Sequence, residues 1–464
     1  MKIPSILKTI SDDLKSQNAK AIIVGGSVRD HFLGNEIKDY DIEVYNLDSL
    51  ESLERILGKY GSVNLVGKSF GVLKFVYGKD EFDFSFPRTE TKISQGHKGF
   101  DVSIDGSLQY KVAAKRRDFT INAMGYDIDN GDFIDPFDAL NDIKSKSIRH
   151  IDDQTFAEDP LRVYRAVQFT ARFGYKLADE TFDLCRSMID NGKLDELPKE
   201  RVYMEWQKLL LKSAKPSIGF ELMKDLGIIK RYFPELDRLI NTPQSPKWHP
   251  EGDVWIHTMM TLDQMATLCK SESKCINDAK KHLKMMFAIL CHDLGKPATT
   301  AYDNGQIRAI GHEKAGIEPC RSLLMRLTNE HNFIDSILPL IEHHLKPSQF
   351  YKNGAKSSAI RRVATKANIE ELVLVAKADF LGRATKDALS GEYKAGEWML
   401  QRAKELNVKH SPPKPLLQGA DLITLGLKPS PLFGKILNEI YNMQLDGKLK
   451  DKDEAMEFIE REYF

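Results

Sequence analysis

Two carboxylates one residue apart, Asp39 and Asp41 in Lys38-Asp39-Tyr40-Asp41, stand at the entry to the apolar run Ile42 to Tyr45. On an extended segment, positions i and i+2 face the same way, so both acids converge as two-metal phosphoryl chemistry requires. Upstream, the run Ala21 to Val24 meets Gly25-Gly26-Ser27 and then Val28-Arg29-Asp30. Paired glycines after a strand let backbone amides approach phosphates closely. The glycine pair lacks the Gly-Lys-Ser/Thr ending of a Walker loop and the spacing of a dinucleotide fingerprint. Each half alone could be a plain turn or a solvated strand end. In this order the two halves point to nucleotidyl transfer.

A second chemical signature lies far downstream. His292-Asp293 falls inside the apolar segment Ile289 to Lys296, and His257 lies in His249-Pro250-Glu251-Gly252-Asp253-Val254-Trp255-Ile256-His257. Burying an imidazole beside a carboxylate costs several kcal/mol unless something pairs with them, and a divalent metal does so well.

The elements that must hold these groups follow from periodicity. Up to about residue 150, short apolar strands (Ala21 to Val24, Ile42 to Tyr45, Val72 to Tyr77, Phe82 to Phe86, Gly125 to Ile128) alternate with helical stretches, and beyond that the pattern is almost wholly helical. An α/β head followed by an all-α remainder is predicted. Pro243 and Pro246 mark one break, and Ser411-Pro412-Pro413-Lys414-Pro415 introduces a tail. The expected divisions are 1–150, 151–240, 241–410 and 411–464.

At 464 residues the chain exceeds one ordinary core, and 67 Lys plus Arg against 67 Asp plus Glu leave no global basic field. An RNA partner would have to use a local patch, for which Lys346, Lys352, Lys356, Arg361, Arg362 and Lys366, with Phe350 and Tyr351 among them, are the candidates. Cys185, Cys269, Cys275, Cys291 and Cys320 form no Cys-x-x-Cys pair and read as reduced and buried. With no targeting signal and no stretch of about twenty apolar residues, a cytoplasmic location is expected.

The glycine turn and the Asp39/Asp41 pair together resemble the head of class II tRNA nucleotidyltransferases (CCA-adding enzymes) and bacterial poly(A) polymerases. Arg116-Arg117-Asp118-Phe119-Thr120-Ile121-Asn122 resembles the second head motif, which implies that Arg117, Asp118 and Asn122 lie near ribose and triphosphate, with Gly25, Gly26, Ser27 and Arg29 on the nucleotide. Arg88 to Lys92 and the stretch to about Tyr110 occupy the place of the family's flexible loop, needed for adding the terminal A.

Glu158-Asp159-Pro160-Leu161-Arg162 is similar to the specificity element, expected to open a helix with Asp159 and Arg162 on one face. There a carboxylate can accept from the exocyclic amine of C or A while a guanidinium donates to the ring nitrogen, and the carbonyl oxygen of U or G would oppose the acid. Arg165 joins the match, whereas Gln168 stands where relatives usually place arginine, which bears on a backbone contact rather than on base choice.

The downstream histidines resemble an HD phosphohydrolase domain, implying metal ligands His257, His292, Asp293 and Asp379. His312, His343 and His344 occupy places where related domains add phosphate-binding or second-metal groups. The tail from Leu416 to Gly434 resembles the C-terminal segment of HD-bearing CCA-adding enzymes and carries no catalytic cluster of its own.

The resemblance therefore implies untemplated addition of CCA to tRNA from CTP and ATP, with catalytic Asp39 and Asp41 on Mg, and the alternating strand Glu81-Phe82-Asp83-Phe84-Ser85 offers Asp83 as a third acid. The HD domain would add phosphatase or 2′,3′-cyclic phosphodiesterase activity on Mg, Mn or Ni. A poly(A) polymerase, a CC-only or A-only enzyme, and an HD hydrolase with a regulatory nucleotide-binding head are the competing readings. Oligomeric state is left open.

Overall fold

The computed structural model describes residues 1–66, 71–92, 100–271 and 278–464. Its chain divides into two compact units, one of Met1–Leu209 with Glu221–Ile228 and the other of Leu210–Phe220 with Ile229–Phe464.

The first unit is built on a mixed sheet. Its strands are β1 (Lys20–Val24), β2 (Tyr40–Tyr45), β3 (Ser62–Val66), β4 (Val72–Tyr77) and β5 (Asp80–Ser85), followed by a separate antiparallel pair, β6 (Arg88–Lys92) and β7 (Phe100–Ile104), and then β8 (Gly125–Asp127) and β9 (Phe133–Ile134). Seven of them form one sheet in the order β3-β4-β5-β2-β1-β8-β9, in which β2 and β5 run parallel and the other neighbours antiparallel. Period-2 alternation divides the sheet's faces: Ala21, Ile23, Ile42, Val44, Phe82 and Phe84 join the main core with Ile6, Leu7, Ile10 and Leu14 of the N-terminal helix Ser5–Lys15. The opposite face carries Asp41 and Glu43 of β2. Apolar burial on one side thus fixes the register that presents the acids on the other.

After residue 150 the expected helices appear, with two small departures. A two-residue strand, Lys176–Leu177, pairs with Ser147–Ile148, and a hairpin of Thr300–Asp303 and Gln306–Ala309 interrupts the helical region. Helices Val254–Ser271, Ala279–Cys291, His331–His343 and Ile369–Leu381 pack together in the second unit and bury almost all of their apolar residues. The tail has its own small core of Leu417, Leu422, Ile436, Ile440, Leu449, Ala455 and Ile459. Cys185, Cys269, Cys291 and Cys320 are buried free thiols, while Cys275 lies outside the described residues. Among the described residues, no helix is long and apolar enough to cross a membrane.

Candidate nucleotide cleft and metal centre

β1 ends at Val24 and the chain turns through Gly25 at φ +74°. A Cβ there would lie 2.9 Å from Arg117 Nη1 and 3.8 Å from Asp41 Oδ2, so glycine is what lets the turn lie against both. Ser27 is buried and its hydroxyl donates to the Val24 carbonyl at 3.3 Å, which makes its side chain part of the turn rather than of the cleft wall.

Asp41 pairs in register with Val24 on one side and with Asp83 of β5 on the other. Crowding by the protein raises its carboxyl above the usual range; Arg117 opposes this, and the neighbouring Asp83, Asp39 and Glu43 reinforce it. Asp39 lies just before β2, exposed. Three acids gathered at one strand end, at a cost in mutual repulsion, suit a divalent cation.

Two residues further along β2, Glu43 is buried. It accepts from the Tyr45 hydroxyl at 2.8 Å and from Arg116 Nη2 and Arg117 Nη2 at 2.9 Å each. Burial alone would raise its carboxyl, but the two guanidiniums outweigh it and hold the group below the ordinary range. Glu43 therefore aims Arg117 over the glycine turn.

A second network closes the cleft. Asp118 accepts from Arg165 Nε at 2.7 Å, from Asn122 Nδ2 at 2.9 Å and from the Phe119 amide at 2.9 Å, and Arg29 Nη1 donates to Asn122 Oδ1 at 2.6 Å. Arg29 also pairs with Asp30 at 2.9 Å and lies 5.0 Å from the Phe173 ring centroid. Asp118 and Asn122 spend these bonds on neighbouring side chains, so they act as a frame for the arginines.

The specificity element differs from expectation in its local structure. Asp159 is extended, between helices Asp153–Glu158 and Leu161–Phe173, because Pro160 starts the second helix and disfavours helical backbone in the residue before it. Its Oδ1 accepts the Leu161 amide at 3.1 Å, and its other oxygen lies 3.4 Å from Arg201 Nη2. Arg162 donates to the carbonyls of Thr155 at 2.7 Å and Arg116 at 2.5 Å. Both residues still line one cavity of about 490 Å³ with Gly25, Gly26 and Asp41. Seven arginines (29, 88, 116, 117, 162, 165 and 201) line the same cavity, a lining suited to a polyphosphate. Gln168 is buried on the second helix, and its Nε2 has no hydrogen-bond partner.

In the second unit, the sequence-expected ligands converge. His257 Nε2 faces Asp379 Oδ1 at 3.1 Å, and His292 Nε2 and His312 Nε2 face the Asp293 carboxylate at 3.1 and 3.3 Å. His312 and His344 approach at 3.4 Å, Nε2 to Nε2. Each Nδ1 is already committed: those of His292, His312 and His344 donate to the carbonyls of Ile289, Ala309 and Ile341 at 2.6 to 2.7 Å, and that of His257 donates to Glu251 at 2.8 Å. Unless the rings are charged, every Nε2 then presents a lone pair to a carboxylate or another imidazole. A divalent cation resolves that opposition, and His257, His292, Asp293 and Asp379, with His312 and His344 beside them, fit one. His344 is held neutral, its pKa pushed down to about 3 by burial and by His292 and His312. Asp293 and Asp379 stay ionised well below the usual range despite burial, Asp293 through His292 and Lys296, and Asp379 through Arg383. Gly295 is required where it sits, because a Cβ would fall 2.0 Å from the His312 carbonyl oxygen.

Comparison with known proteins decides the family. Residues 21–149 match the Poly A polymerase head domain, 174–240 the probable RNA and SrmB-binding site of polymerase A, and 254–384 the HD domain. Over 400 residues the chain is 35% identical to the multifunctional CCA protein of Pseudoalteromonas atlantica, covering 83% of this chain and 92% of that protein. The chain belongs to the multifunctional CCA protein family. Its fold is also that of a CCA-adding enzyme of Bacillus stearothermophilus in complex with CTP (TM-score 0.67, 21% identity, 99% of this chain and 98% of that one). A Thermotoga maritima CCA-adding enzyme complexed with tRNA aligns at TM-score 0.60 and 20% identity, over 99% of this chain and 96% of that one.

For a multifunctional CCA protein, several site groups escaped sequence reasoning. Glu43 and Glu251 are lone acids with no motif of their own, and Lys296 and Arg383 carry none either, yet folding places Lys296 Nζ 2.7 Å from Asp293 and Arg383 Nη2 2.9 Å from Asp379. His344 belongs to the cluster, whereas His343 is not among the residues that form it. In the suspected basic patch, Arg361 and Arg362 are engaged by the tail: Arg361 donates to the Leu445 carbonyl at 3.3 Å, and Arg362 meets Asn442 at 3.0 Å and Asp446 at 2.9 Å. The adenine-adding loop expected between Arg88 and Tyr110 keeps its flanking strands β6 and β7, while 93–99 lie outside the described residues.

Proposed function

We propose that this chain adds C, C and A to the 3′ end of tRNA from CTP and ATP, without a template, in the head cleft, and hydrolyses phosphate esters at the histidine–aspartate cluster. One observation carries the first half: a single cavity brings the Asp41 strand end, the glycine turn, an arginine-rich lining and the Asp159/Arg162 pair together. The tRNA 3′-oxygen forms a bond to the α-phosphorus, the bond to the β-phosphate bridge breaks, and pyrophosphate leaves. Mg held by Asp39, Asp41 and Asp83 would supply electrostatic stabilisation of the developing charge.

The amides of Gly25 to Ser27 and the guanidinium of Arg117 hold phosphates, with Arg29 and Arg165 fixed by Asn122 and Asp118 on the ribose side. Asp159 accepts from the exocyclic amine of C or A. Arg162 uses two of its five donors on carbonyls, which fixes its plane, and offers others to the base. U and G place an acceptor against Asp159 and are refused.

In the second unit the substrates are phosphate monoesters and 2′,3′-cyclic phosphodiesters. A divalent ion there, Mg, Mn or Ni, would supply an activated water; Lys296 and Arg383 hold the acids that bind it. Residues 1–150 act as the catalytic head, 151–240 as neck, 241–410 as hydrolase and 411–464 as tail, and tRNA as partner places the work in the cytoplasm. Separate substitutions test the assignment: Asp41→Asn should abolish CTP incorporation and spare ester hydrolysis, and Asp293→Asn should do the reverse. Loss of both activities in either variant would refute two independent sites.

A further inference from the structure

The cavity over the histidine–aspartate cluster, about 490 Å³, is larger than a phosphate group requires, and its lining adds Trp248, Ile307 and Ile310 to the polar groups. Trp248 is on one side of that lining, with 52% of its surface exposed, and Ile307 and Ile310 come from the hairpin region, Ile310 at 78% exposed. Both rims are tied by one or two residues to the centre. Trp248 sits in a turn in which the amides of Trp248 and His249 donate to the Ser245 carbonyl at 3.0 and 2.9 Å, and His249 Nδ1 meets Glu251 at 3.0 Å. Ile310 follows Ala309, whose carbonyl accepts from His312 Nδ1 at 2.7 Å. Lys247 Nζ lies 5.2 Å from the Trp248 ring centroid.

A large flat indole left half exposed in the lining of that cavity offers a face on which a planar ligand can stack. A nucleobase attached one ribose away from the phosphate is such a ligand. We propose that Trp248 is a specificity-determining residue that stacks on the base of a nucleoside phosphate whose phosphate enters the histidine–aspartate cluster. This rests on reading the cluster as a phosphoesterase centre. The same chemistry is offered by a free nucleotide and by the 3′-terminal nucleotide of an RNA.

The experiment compares two secondary-alcohol monoesters, adenosine 2′-phosphate and glycerol 2-phosphate, on the full-length protein loaded with Mn. The ratio of their kcat/KM values should fall about 5- to 100-fold in Trp248→Ala, as the loss of one base–aromatic stack implies, and stay within about three-fold in Trp248→Phe. An unchanged ratio in Trp248→Ala overturns the proposal. An RNA ending in a 2′-phosphate, run beside the mononucleotide, tells the two sources apart by which suffers the larger loss. If the wild-type protein hydrolyses neither ester, the phosphoesterase reading fails on its own. The subsite is then judged by calorimetric binding of adenosine 2′-phosphate with the head saturated by CTP, and equal affinity in Trp248→Ala and wild type overturns it.

Discussion

The carboxylate of Glu251 accepts the Nδ1 proton of His257 at 2.8 Å, which leaves His257 Nε2 bare and pointed at Asp379. The same carboxylate takes the His249 Nδ1 proton at 3.0 Å and the Ala384 amide at 3.0 Å, and its pKa is driven far down by those donors in spite of burial. Three donors need two acceptor oxygens. Glu251→Gln offers one oxygen and an unwanted N–H, so Mn affinity at the cluster should drop about 10- to 100-fold, the usual cost of losing an outer-sphere partner. Competition with a chelating dye reads this directly, and CTP incorporation into tRNA should not change.

Glu43 makes an equivalent prediction for the head. Glu43→Gln removes the charge that pairs with Arg116 and Arg117 at 2.9 Å, inside a buried site. Breaking a buried pair from one side costs about 3–5 kcal/mol, visible as a lower urea midpoint. Because Arg117 then loses its anchor, the KM for CTP should rise as well.

Glu43 and Asp118 together set an acid limit. Glu43 and Asp118 have pKa values below their ordinary 4.5 and 3.8, so the folded form binds fewer protons than the unfolded one. Their contribution is complete above about pH 5 and is lost as pH falls through the folded-state values. Urea unfolding of the head followed from pH 7 down to 3 should show stability declining below pH 4.5, and Glu43→Gln should flatten part of that slope.

Gly25→Ala should be damaging for two separable reasons. Alanine at φ +74° costs about 1–2 kcal/mol, and its methyl would displace Arg117, 2.9 Å away. Stability should therefore fall modestly while CTP incorporation falls by at least about ten-fold, a gap that backbone strain alone would not produce.

In the proposed function, base choice rests on Asp159. Asp159→Ala removes the acceptor that distinguishes an amine from a carbonyl, so UTP and GTP incorporation relative to CTP should rise by about 10- to 100-fold. Unchanged selectivity would contradict the assignment of base choice to Asp159.

The sheet and its acids were legible because alternation of Ile42 and Val44 with Asp41 and Glu43 leaves only one register that buries the apolar set. β3 and β9 were missed since Ser62–Val66 and Phe133–Ile134 are too short or too polar to show a period. His292-Asp293 announced itself by being polar inside an apolar helix end. Glu251, Lys296 and Arg383 could not, because a single charge has no pattern until folding sets its partner. The Asp159 helix start was misplaced by the reach of Pro160, whose effect on the preceding residue outweighed the i to i+3 reading.

The central claim is tested most directly by incubating the protein with tRNA that ends at the discriminator base, with Mg and labelled CTP, ATP, UTP or GTP alone and in combination, and resolving products to single nucleotides. Three residues added from CTP plus ATP, two from CTP alone and none from UTP or GTP is the predicted result. A long A ladder without use of CTP, or no extension at all, would contradict it.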